Sequence, residues 1–130
     1  MVIQERSGIS SLLCEEISGR IQELKDLASE EGVTCSEKSE HDLIYFLSVH
    51  ALRTEPVIFL LDNGNFHAYW KRGNFPEREQ VGLEFLGGDR VLYVLFGKDG
   101  EEATQRTGTC AFGEALRKID DLGLRVLFAS

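Results

Sequence analysis

Cys110 and His67 are the two residues of this sequence best suited to covalent chemistry. The spacing after Thr109 predicts a helix, and a thiol in a first helical turn is acidified by exposed backbone amides and the helix dipole. His67 would act as its general base. The plainer reading of Cys110 is packing, because free cysteine is among the most buried residue types and no family signature surrounds this one. The three histidines, His41, His50 and His67, lack paired ligand spacing, with His41 and His50 on different faces of a helix, so no metal site is expected. Cys14, Cys35 and Cys110 are odd in number and contain no close pair. That argues against a disulfide framework and a cysteine zinc site and suits a reducing compartment.

The adjacent carboxylates (Glu15 with Glu16, Glu30 with Glu31, Glu101 with Glu102, Asp120 with Asp121) point different ways along a helix or strand and cannot share a proton. Gly64, Gly82, Gly87 and Gly88 fall in turns or strands, and no glycine-rich phosphate cradle precedes a helix. No cofactor is expected. Lys71, Arg72 and Arg78 form a small basic island beside Trp70 and Phe75, a mixture found at binding surfaces. His67 and Tyr69 lie on the polar side of one predicted strand, with Gln80 and Glu84 across from them. His67, Tyr69, Trp70, Arg72, Phe75, Gln80 and Glu84 are therefore the candidate partner-binding residues.

The elements that position these residues read as an α+β fold: a four- to five-stranded antiparallel β-meander with two N-terminal helices and one C-terminal helix packed on it. Ile9, Leu12, Leu13, Ile17, Ile21, Leu24, Leu27 and Ala28 recur at helical spacing, capped by Ser10 or Ser11 at the start and Gly32 at the end. A second helix is predicted over 40–52, with Ser39 and Asp42 as a capping box. Val57–Leu61 is apolar throughout and reads as a strand covered on both faces; Asn63-Gly64 then makes a tight hairpin. Phe66–Lys71 and Gln80–Phe85 alternate as half-buried strands. Gly87-Gly88-Asp89 turns into Arg90–Phe96, again apolar on both sides. Glu101–Arg106 is a short polar edge strand, Thr109 opens a helix closed by Gly123, and Leu124–Phe128 adds a further strand. Lys71–Arg78 is a long hairpin loop rather than a linker.

The chain has 130 residues, the commonest size of one domain, and a hydrophobic fraction of 42% places it in the ordinary globular range. One domain, 1–130, is expected. No run is long enough to span a bilayer, and residues 1–6 lack the start of a signal peptide, which points to the cytoplasm and away from a membrane. The net charge is −8, and residues 1–42 hold ten acids against four bases. Such a surface repels phosphate backbones, so no direct nucleic-acid binding is expected, and an electrostatic partner should be basic.

The favoured function is thus a non-enzymatic acidic protein-interaction domain of antitoxin, immunity-protein or viral-inhibitor type. Its acidic face would comprise Glu15, Glu16, Glu23, Asp26, Glu30 and Glu31 and engage a basic protein. The alternatives are a ligand-binding or self-associating homodimeric module built on Trp70, Tyr69 and Tyr93, and a small thiol enzyme using Cys110 and His67.

Overall fold

The computed structural model describes residues 2–50, 54–73 and 78–128, with side chains from Glu15 onward. Helices α1 (Val2–Glu31) and α2 (Glu37–His50) precede strands β1 (Val57–Leu60), β2 (Phe66–Arg72), β3 (Glu79–Gly87), β4 (Arg90–Asp99) and β5 (Glu102–Ala111). Helix α3 (Phe112–Asp121) and a 3-10 turn (Arg125–Phe128) follow. The strands pair antiparallel in sequence order as one five-stranded sheet, which is the expected α+β meander.

The element boundaries differ from expectation where side-chain hydrogen bonding or a partner strand overrides local signals. Helix α1 begins at Val2, so Ser10 and Ser11 lie inside it and cap nothing; Gly8 alone is too weak a breaker to start the helix later. Its end is as expected: Gly32 adopts φ 76°, and the amide of Val33 donates to the Ala28 carbonyl at 2.8 Å. Helix α2 starts at Glu37, because Ser36 is the cap and its hydroxyl accepts the Ser39 amide at 3.2 Å. Its predicted end at Leu52 lies outside the described residues. Strand β5 runs to Ala111 and places Cys110 in a strand, since β4 offers an unbroken partner for all ten β5 residues. Helix α3 therefore starts at Phe112, and the strand expected over 124–128 is replaced by the 3-10 turn Arg125–Phe128.

Ser39 and Asp42 do not form a capping box. Both are buried, and each ties α2 to a hairpin turn: the Ser39 hydroxyl accepts the Phe66 amide at 2.8 Å, and an Asp42 carboxylate oxygen accepts the Asp89 amide at 3.0 Å. Asp89 stands at φ 61°, a conformation that turns its amide away from any ladder partner. Asp42→Ala should leave that amide without an acceptor and cost about 2–3 kcal/mol, whereas Asp42→Asn, which keeps an acceptor oxygen, should cost less than half of this. Urea unfolding curves of the two variants check the ordering.

The core lies on one side of the sheet. Phe46 of α2 is fully buried at its centre, with ring centroids of Phe112, Phe85, Phe128 and Trp70 at 5.6, 5.7, 5.8 and 6.2 Å. Ile17, Ile21 and Leu24 of α1 join the same cluster as Ile58, Phe66, Leu83, Val91 and Leu95 from the sheet. The strands that read as covered on both faces are covered on one. Val57 is 50% and Leu92 37% exposed, because the helices all pack against the opposite side. No helix among the described residues is long and apolar enough to cross a membrane.

Candidate functional site

The uncovered face is built from three cross-strand rows. Alternation along each strand sends every second side chain outward, and the registers align Phe59, His67, Glu84, Leu92 and Thr109 in one row. A second row holds Val57, Tyr69, Gly82, Val94 and Thr107; a third holds Lys71, Gln80, Phe96 and Gln105. The face thus carries two apolar groups, Val57, Phe59 and Tyr69 on β1 and β2 and Leu92, Val94 and Phe96 on β4, with Gln80, Gly82 and Glu84 of β3 between them.

Its centre is organised around His67. The imidazole stacks on Phe59 with ring centroids 4.5 Å apart and lies 6.4 Å from Tyr69. Gly82 makes room for it: a Cβ there would stand 3.3 Å from His67 Cε1. Glu84, the cross-strand neighbour of His67, is held in place by the side-chain amides of Asn63 and Asn65, which donate at 3.0 and 2.9 Å. At the other end Arg78 covers Phe96, with its guanidinium 4.2 Å from the ring centroid.

His67 Nδ1 is buried and has no hydrogen-bond partner among the described residues. Burial pushes the His67 pKa below its ordinary value, and the Glu84 charge only partly opposes this. The unfolded chain therefore binds more protons just below pH 6.5, the reference value for histidine, so stability should fall as pH drops from there toward the folded-state pKa. His50 is lowered in the same direction by its own burial, ahead of the Arg125 charge. His67→Gln should flatten part of this slope in thermal melts between about pH 7 and pH 5, leaving the His50 contribution.

The candidate partner-binding residues divide between two places. His67, Tyr69, Gln80 and Glu84 come together on the uncovered face. Trp70 does not join them: it is 3% exposed on the core side, donating its indole N–H to the Thr54 carbonyl at 3.2 Å. Arg72 is exposed and pairs with Glu79 at 2.6 Å. Phe75 lies outside the described residues. Tyr69, Trp70 and Arg72 also line a cleft of about 350 Å³ with Glu55 and Lys71, where β2 runs past the start of β1. Tyr93, expected to share a binding surface with Trp70 and Tyr69, is buried on the core side against Gly108, where an added Cβ would stand 2.6 Å from its hydroxyl.

The thiol dyad is not assembled. Cys110 sits opposite Val91 on the core face, whereas His67 is on the uncovered face three strands away, about 14 Å across the sheet at the usual strand spacing. Burial raises the Cys110 pKa, helped by the Glu114 charge, so the thiol is less ionised than an ordinary cysteine. Among the described residues no group of three His, Cys, Asp or Glu side chains is placed to hold a metal ion.

The six candidate acids of α1, Glu15, Glu16, Glu23, Asp26, Glu30 and Glu31, are all exposed. Glu23 pairs with Arg20 at 2.7 Å, and Asp26 accepts from Gln22 at 2.9 Å. Glu55 lies close to Glu16, and its pKa is raised by burial first and by Glu16 second. Sequence reasoning missed Glu55, which has no local motif, and missed Phe59, Leu92, Val94 and Phe96 as surface residues because apolar strands read as interior.

The chain matches no protein-family model, no curated protein and no solved structure.

Proposed function

We propose that this chain is a non-enzymatic protein-interaction domain whose uncovered sheet face docks a basic protein partner. The observation that carries the reading is a mismatch within the sheet: β1 and β4 are apolar on both sides, yet the helices cover one side only. Two apolar groups on either side of one polar strand, on a face that no helix covers, leave more apolar side chain in water than a solvated sheet face does, which is a mark of an interaction surface. An antiparallel sheet that ends in water instead alternates apolar with polar residues, and these two strands do not.

The charge supplies the sign of the partner. A net charge of −8, with six exposed acids on α1, attracts a basic macromolecule at long range and speeds encounter without touching the docking face. Within the basic island, Arg72 is neutralised by Glu79 and Arg78 is occupied by Phe96, leaving Lys71 as a small counterweight to that field. An antitoxin, an immunity protein or a viral inhibitor of a nucleic-acid enzyme would combine these features.

The test is capture of partner from host extract on immobilised protein, with the wild-type chain beside Leu92→Lys. A basic protein held by the wild type, lost from the variant and bound more weakly as salt rises is the expected result. Equal capture by both chains, or binding indifferent to salt, contradicts the reading.

A further inference from the structure

The two edges of the sheet are treated differently. At β1 the edge is short and guarded: α1 runs alongside it, and Arg20 Nε donates to the edge carbonyl of Ile58 at 3.2 Å. At the other edge β5 presents ten residues, paired with β4 without a bulge from Asp99–Glu102 to Arg90–Ala111. Among the described elements, β4 and the following helix α3 are the ones packed substantially against it. It has no proline and no lysine, and Arg106 is the sole charge between Ala103 and Ala111. A long, regular, unguarded edge is a template for strand addition, which natural proteins ordinarily block.

We propose that β5 pairs antiparallel with β5 of a second copy, joining two sheets into one ten-stranded sheet about a two-fold axis. That axis stands perpendicular to the sheet and keeps both core faces on the same side. A residue can then oppose only residues of its own parity along the strand. Glu102 and Arg106 share the parity of Cys110 and hence its face. A register centred on Arg106 sets like charges against each other. Centred on Thr104, it sets Glu102 of each copy against Arg106 of the other, giving two reciprocal ion pairs around a Thr104–Thr104 contact. Arg106 is 40% exposed beside Asp99, which is 69% exposed, so the side chain can exchange partners at little cost. The pairing also brings two uncovered faces edge to edge, without occupying either.

Sedimentation equilibrium of the purified chain at low salt, from about 1 μM to about 1 mM, reads the association directly. Dimer is expected for the wild type. Arg106→Glu and Glu102→Arg should each weaken it about tenfold or more, and the double exchange Glu102→Arg with Arg106→Glu should restore it to within about threefold. Circular dichroism confirms that each variant is folded, and Glu102→Arg, at the strand's exposed first position, serves where Arg106→Glu fails to fold. A wild type that stays monomeric throughout overturns the proposal, as does a dimer that both single changes leave unaltered. Loss in both singles without recovery in the exchange overturns the register.

Discussion

Gly64→Ala should lose about 3 kcal/mol or more of unfolding free energy, a fall of roughly 10 °C in Tm for a chain of this size. Gly64 occupies the hairpin turn between β1 and β2 at φ 89°, and its carbonyl accepts the Ser36 amide at 2.8 Å from the connector between α1 and α2. A Cβ built at Gly64 overlaps the carbonyl oxygen of Thr34 in that same connector. The obstacle is backbone, so no side-chain rotation relieves it; the turn and the helix connector must separate. Gly88→Ala is the control. Gly88 is also left-handed, at φ 66°, but an added Cβ meets nothing within 4 Å. It should cost about 1 kcal/mol, the conformational penalty alone. Differential scanning calorimetry of the two variants separates steric conflict from backbone strain, and equal losses would refute the packing of the turn against 34–36.

Leu92→Lys should weaken partner binding by about a hundredfold or more, because a charge placed in the apolar group formed by Leu92, Val94 and Phe96 must be desolvated on association. The position is chosen so that the fold survives. Leu92 is already 37% exposed, and its cross-strand neighbours are Glu84 and Thr109, which suit a lysine. A basic partner is additionally repelled. Reversing Glu15, Glu30 and Glu31 on α1 to lysine should act differently, slowing association with little change in dissociation. The contrast assigns contact to the sheet face and steering to the helix.

Most of the fold was legible because its signals are local. Alternation in β2 and β3, the turns at Gly64 and Gly87–Asp89, and the glycine ends at Gly32 and Gly123 each report on a few neighbouring residues, although of the Asn63-Gly64 pair only Gly64 takes the positive φ expected of both. What was not legible depends on distant partners. Ser39 and Asp42 have the spacing of a cap, but their acceptors serve Phe66 and Asp89, far along the chain. Thr109 and Cys110 look like a helix start until β4 is there to pair with them. The candidate site shows the same division. His67, Tyr69, Gln80 and Glu84 were placed on one face by period-two reasoning, and Trp70 was misplaced by choosing it for its residue type over its parity. The apolar half of that face was hidden by the assumption that continuous apolar strands are interior, which holds only when a second layer exists within the same chain.

A partner that supplies this missing layer is read by titration calorimetry of the captured protein against wild type and Leu92→Lys. The expected result is a loss of about a hundredfold in affinity with the variant's melting temperature within a few degrees of wild type. An affinity unchanged within about threefold, in a folded variant, would show that the partner docks elsewhere and that the open face of the sheet is not its seat.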